Sequence, residues 1–220
     1  MQPAEYEAWY HTPRGAWVAE REFVLLMQLL RPRPGQSLLD AGSGTGQFSR
    51  RFRQAGLEVT GIDPDAAMLG YARHQGDSIE YVQGSVRQLP FGPGTFDFCA
   101  AVTSLCFVAA PQHAVQEMWR VSRRGIVLGL LNRHSLLYAL KHGRGGYQGA
   151  RWDTIGAARA WLTHLDEGLS VQADTAVWFP HGGRLSRHLE AYMPRRPGWG
   201  GFLAVAIRKS GHTDSSTDLT

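Results

Sequence analysis

Apolar positions along this chain recur with two periods, and the two alternate. In residues 16–31, AWVAEREFVLLMQLLR, they fall three and four apart, which predicts an amphipathic helix closed by Pro32 and Pro34. SLLDA reads as a short buried strand, and GQFSRRFRQAG as a helix ending at Gly56. LEVTGID is the next strand, followed by a helix with Pro64 in its first turn that runs to about His74. SIEYVQG and TFDFCAAVTS read as strands, PQHAVQEMWRVS as a helix and RGIVLGLLN as another buried strand. Strands alternating with helices predict a doubly wound α/β domain, parallel strands joined by crossover helices.

The pattern changes after Asn132. NRHSLLYALKHGRGGYQGARW is glycine-rich and fits neither period. A helix is expected over Thr154 to about Leu165, then two strands, LSVQADTAVWF and GFLAVAIRK, joined by a Pro- and Gly-containing loop at 180–200. Residues 1–209 read as one domain, and the polar tail 210–220 is expected to be disordered.

Composition narrows the classes. With 43% hydrophobic and 19% charged residues over 220 positions, the chain is globular. No apolar run approaches a membrane span, and MQPAEYEAW lacks the apolar region of a signal peptide. The two cysteines, Cys99 and Cys106, lie in an apolar stretch and fit a reducing, cytoplasmic setting. A net charge of +4 does not by itself imply nucleic acid, and no Cys/His spacing suggests a metal.

The candidate chemistry begins at LLDAGSGTGQF, where Gly42, Ser43, Gly44 and Gly46 follow a buried strand. A dinucleotide loop wants G-x-G-x-x-G, but here Gln47 stands at the third glycine position. Asp40, just before the loop, would repel a pyrophosphate but can accept hydrogen bonds from an ammonium group. Asp63 ends the second strand 21 residues beyond Gly42, where a carboxylate can grip both hydroxyls of a ribose. A ribose and an amino-acid portion without phosphate describe S-adenosylmethionine.

DAGSGTG, VTGIDPDAAML, YVQGSVRQLPFGPGTFDFCAAVTSLCFV and EMWRVSRRGIVLGLLN together resemble the motifs of class I S-adenosylmethionine-dependent methyltransferases, the small type 11 group, over roughly residues 5–131. The resemblance implies a Rossmann-like sheet of seven strands, the last antiparallel. It also implies a cofactor site that includes Pro64, Met68 and Thr103 within those motifs. Ser85 stands where the family often has an acid for the adenine amino group; its hydroxyl can still accept, and the Val86 amide can donate to the ring. EYEAWYHTPRG resembles a lid that closes over the cofactor, with Tyr6, Trp9 and Tyr10 excluding water and Arg14 meeting the cofactor carboxylate.

On the acceptor side, Cys106 follows the fourth strand, without the Pro-Cys pattern of cytosine C5 methylation. TSLCFV also lacks the Asp/Asn-Pro-Pro-aromatic motif of adenine or glutamine methylation. His134, just past the fifth strand, is a candidate base. Arg133, Lys141, Arg144 and Arg151, with Arg184, Arg187, Arg195 and Arg196, would form a positive mouth in which Arg144 and Arg184 attract an anionic small molecule. The expected function is methyl transfer from S-adenosylmethionine, leaving S-adenosylhomocysteine, to a small molecule. An RNA or protein methyltransferase and a non-catalytic cofactor-binding protein are the alternatives.

Overall fold

The computed structural model describes residues 2–76, 78–165, 168–180, 183, 188–190, 192–193 and 198–209. Seven strands form one sheet: β1 (Ser37–Ala41), β2 (Glu58–Asp63), β3 (Glu80–Gln83), β4 (Phe96–Val102), β5 (Ser122–Leu131), β6 (Ser170–Ala176) and β7 (Phe202–Arg208). Their order is β3-β2-β1-β4-β5-β7-β6. The pairs among β1 to β5 are parallel, and β7 runs antiparallel to both neighbours. The resemblance had implied this arrangement. The order reverses between β1 and β4, and such a switch point opens a crevice at the carboxyl ends of the strands.

Side-chain alternation divides the core into two layers. Leu38, Phe98, Ala100 and Val102 point to the face covered by α2 (Pro13–Leu30), α3 (Gln47–Gln54) and α4 (Ala66–His74). Leu39, Cys99, Ala101, Ile126 and Leu128 point to the other face, under α5 (Pro111–Val121) and α7 (Ile155–Ala160). Along β7 the neighbours Phe202 and Leu203 go to opposite layers, so a nearly continuous apolar run is buried on both sides.

Several boundaries differ from the sequence reading. The first core helix begins at Pro13, because Thr12 Oγ1 accepts the Gly15 amide at 3.0 Å and Pro13 takes the first helical position. A separate helix α1 (Pro3–Tyr10) precedes it. Pro64 lies outside α4: Asp65 is the N-cap, accepting from the Ala67 and Met68 amides. The helix expected to reach Leu165 stops at Ala160 and continues as turns. The unassigned stretch after Asn132 folds into α6 (Leu136–Lys141) and a 3-10 turn at Gly145–Tyr147, which pack Leu137, Ala150 and Trp152 around Cys106. The tail 210–220, expected to be disordered, lies outside the described residues.

Candidate active site

The glycine loop is fastened before any ligand is considered. The Gly42 and Ser43 amides both donate to the Ile62 carbonyl, at 2.7 and 3.0 Å, which ties the loop to the end of β2. Asp63 Oδ2 accepts from the Gly44 amide at 2.9 Å and Oδ1 from the Asp65 amide at 2.9 Å. Its carboxyl is therefore aimed by two backbone donors, and each oxygen keeps a lone pair for a further partner. Burial raises its pKa, opposed by these two hydrogen bonds.

The three glycines have different reasons to be there. All have φ between +53° and +81°, which costs a residue with a Cβ. A Cβ at Gly42 would also collide with the Ser104 side chain, and one at Gly46 with the Tyr81 hydroxyl. At Gly44 it would meet no atom, so this glycine alone borders open space. Asp40 corrects the sequence reading. It is 1% exposed and accepts from the Ser49 hydroxyl at 2.6 Å, so it supports the loop from below instead of facing an ammonium group. Burial, with Asp63 nearby, pushes its pKa up to about 6 despite the Ser49 hydrogen bond.

Beyond the ends of β4 and β5 lies a cavity of about 730 Å³. Tyr6, Trp9 and Tyr10 of α1, Arg14 and Glu22 of α2, Met68, Thr103, Cys106 and Tyr147 are among its lining residues. The expected N-terminal lid is thus a docked helix. Glu7 fixes it, accepting from the Thr45 hydroxyl and pairing with Arg50, which also donates to the Thr45 carbonyl at 2.8 Å. The Tyr6 and Tyr10 hydroxyls share a hydrogen bond at 2.9 Å. Burial pushes the Tyr6 phenol up to about 12 and Tyr10 well above its ordinary value.

Thr103 at the end of β4 and Val177 after β6 both line this cavity with φ of +47° and +63°. Such angles are outliers for β-branched residues, and strain of this kind clusters at functional sites. The Cys106 thiol donates to the Thr103 carbonyl at 3.2 Å, and burial pushes its pKa up to about 12, which favours the protonated thiol. Arg14 Nε is buried without a hydrogen-bond partner. A smaller recess of about 180 Å³ beside the cavity gathers Arg14, Lys141 and Arg144 with Trp9 and Tyr147.

Other expected residues fall elsewhere. His134 is exposed and does not line the cavity; its amide donates to Asn132 Oδ1. Arg151, expected at the mouth, is a structural clamp: it donates to the Leu105 and Val108 carbonyls, pairs with Asp153 at 2.8 Å and lies over Trp161. Ser85 and Val86 are half-buried beyond the end of β3, and Pro64 is exposed. Arg184 and the remaining arginines of its loop lie outside the described residues. Sequence reasoning missed Glu22. Its signal was present, a charge three residues after Ala19 and three before Leu25 on the buried stripe of α2. Among the described residues no cluster of His, Cys, Asp and Glu could hold a metal, and no helix is long and apolar enough to cross a membrane.

A mostly parallel sheet with a switch-point crevice, a glycine loop without a phosphate fingerprint and an acid closing β2 fit a methyltransferase domain, and residues 39–128 match the sequence profile of that family. The chain belongs to the class I S-adenosylmethionine-dependent methyltransferases. It is 31% identical over 187 residues to an uncharacterized methyltransferase of Mycolicibacterium gilvum, covering 79% of this chain and 71% of that one. It is 38% identical over 103 residues to a malonyl-[acyl-carrier protein] O-methyltransferase of Pectobacterium atrosepticum, covering 47% of this chain and 41% of the relative. The same named enzyme of Yersinia pestis is 30% identical over 172 residues, covering 78% and 60%. The chain thus spans from about two fifths to three fifths of those two relatives. A solved S-adenosylmethionine-dependent methyltransferase of Thermotoga maritima shares the fold, with 22% identity, a TM-score of 0.70 and coverage of 94% of this chain and 95% of that one.

The family's cofactor is S-adenosylmethionine. Three features of the structure fit it: open space at Gly44 and a half-buried carboxylate beside it at Asp63, neither of them among the cavity's lining residues, and the buried, unpartnered Nε of Arg14 at the cavity wall.

Proposed function

We propose that this chain transfers a methyl group from S-adenosylmethionine to a small-molecule acceptor that carries an anionic group. The observation that carries the reading is the cavity of about 730 Å³ at the strand ends, roofed by α1 and α2 and lined mainly by apolar and aromatic side chains. A compartment walled in by the chain's own elements suits a small acceptor better than a nucleic acid or a protein surface.

In this reading Asp63 holds the two ribose hydroxyls, Gly44 lets the ribose and amino-acid portion approach the backbone, and Gly42, Ser43 and Gly46 keep the loop in shape. Ser85 and the Val86 amide meet the adenine, with Pro64 and Met68 along its edge. Arg14 has a donor to offer a carboxylate. When bound, the cofactor supplies an electrophilic methyl group on a sulfonium. What the protein adds is position: Tyr6, Trp9, Tyr10, Thr103 and Cys106 shape a dry space in which acceptor and methyl group are held in line. Lys141 and Arg144, beside Arg14, favour an anionic group at the opening. The names of the malonyl-[acyl-carrier protein] relatives favour a second reading, in which the acceptor is itself a carboxylate on a carried acyl chain.

Calorimetry with S-adenosylhomocysteine tests the cofactor half. Asp63→Ala removes a charged acceptor of two hydroxyls and should weaken binding by about 2–3 kcal/mol; equal affinities would sink the assignment. For the acceptor half, a metabolite extract is incubated with methyl-labelled cofactor and the labelled product identified by mass. Arg144→Glu should then raise the acceptor's KM and leave that of the cofactor unchanged.

A further inference from the structure

One carboxyl in the cavity has no structural task. Glu22 sits on the buried face of α2, 9% exposed, and lines the cavity. Among the described residues it makes no hydrogen bond and no ion pair. That separates it from the other buried acids, since Glu7 is paired with Arg50 and Thr45, Asp40 with Ser49, and Asp153 with Arg151. Its oxygens are not among the fully buried atoms left without a partner, so the carboxyl of this otherwise buried residue opens onto the cavity, where a bound molecule can meet it.

Its surroundings lie partly within the site and partly behind it. Tyr6 and Tyr10 of α1 and Tyr147 of the 3-10 turn are close enough to feel its charge, and Arg51 of α3 opposes the effect of its burial. The strands beneath α2 bring Asp174, which accepts from the Thr175 amide, and Arg208, which donates to the Leu29 and Leu30 carbonyls at the far end of the helix. The cavity's other titratable groups are poor proton acceptors: Tyr6 and Cys106 are both held near 12 and protonated. Glu5 also lines the cavity, but it is exposed at the rim and accepts the Gln2 amide.

We infer that Glu22 is the general base of the reaction and that the acceptor's nucleophile is therefore a protic heteroatom, a hydroxyl or an amine, presented to Glu22 while the acceptor's anionic end faces Arg14 and Arg144. This rests on the methyl-transfer reading above. The heteroatom uses a lone pair to form the bond to the methyl carbon. The carbon–sulfur bond breaks with its pair going to sulfur, and the heteroatom's proton goes to the Glu22 carboxylate. Burial pushes the Glu22 pKa up to about 8, only partly offset by Arg51, so the accepting form grows with pH through the neutral range. A base with a pKa near the working pH is the efficient one, worth about 10²–10⁴ in rate.

The test uses the full chain with methyl-labelled cofactor and a metabolite extract. The wild type should yield a methyl ether or an N-methyl product, at a rate that rises with pH. Glu22→Gln, close in shape and neutral, should cut labelling at least about 100-fold and flatten the pH profile. Its affinity for S-adenosylhomocysteine by calorimetry should stay within about twofold, which also shows that the site is folded. Glu22→Asp should recover part of the rate. A methyl ester or thioether product, or a Glu22→Gln enzyme with wild-type rate and pH profile, overturns the assignment. No labelled product from the wild type defeats the methyl-transfer reading itself, and the base falls with it.

Discussion

Gly42 and Gly44 stand two residues apart in one loop with similar backbone signs, yet they answer to different forces. Gly42 has no room for a side chain because Ser104 packs against it, while Gly44 faces space. Substituting alanine should separate the two. Gly42→Ala adds a clash to an unfavourable φ and should destabilise the fold by about 2 kcal/mol or more. Gly44→Ala meets no atom, so it should cost only the strain of its φ of +53°, about 1 kcal/mol, and show its main effect as weakened S-adenosylhomocysteine binding. Denaturant unfolding and calorimetry on the two variants read both quantities. Equal losses of stability would mean that the loop is held by its backbone alone.

At the scale of elements, α1 is the piece whose attachment governs the site, since it carries Tyr6, Trp9 and Tyr10 to the cavity wall. Its anchor is the buried Glu7, which reaches both the glycine loop at Thr45 and the first crossover helix at Arg50. Glu7→Ala leaves a hydroxyl and a guanidinium group short of a partner, a loss on the order of 1–3 kcal/mol. The sheet does not depend on α1, so the loss should appear as local opening. Amide hydrogen exchange should speed up over residues 3–10 and leave β1, β4 and β5 unchanged. Unaltered protection in α1 would show that aromatic packing alone, such as the edge contacts of Tyr10 with Trp9 and Phe48, holds it down.

For the whole molecule, the buried acids set how stability varies with pH. Glu22 and Asp40 have pKa values raised by burial, to about 8 and about 6. The folded state then binds protons that the unfolded chain has already released, so both groups weaken the fold as pH rises from the ordinary carboxylate range through those values. Asp97 and Glu117 act in the opposite sense. Burial pushes Asp97 up, but hydrogen bonds from Arg123 and Ser37 more than offset it, and Arg120 lowers Glu117; their contribution is lost on strong acidification. The melting temperature should therefore peak in mild acid and fall between pH 5 and pH 9. Glu22→Gln should flatten that fall and melt several degrees above the wild type at pH 9; parallel curves for the two proteins would mean that Glu22 finds a partner in solution. Much of this molecule was legible in the order of its residues. Local periodicity placed β1 to the residue and β2 to within one, because a short apolar strand between a proline stop and a glycine loop has few other ways to satisfy its backbone. The shape of the glycine loop was readable because its residue types answer a local need, a positive φ at Gly42, Gly44 and Gly46. Tertiary structure alone decided what depends on distant partners. Asp40 went under the loop because Ser49 was there to receive it, and Arg151 left the mouth to tie down the carbonyls of Leu105 and Val108. Glu22 became a cavity residue because α1 closed over α2 without offering it a hydrogen bond. Sequence fixes which groups a segment carries, but burial and pairing are set by whatever the folded chain brings alongside.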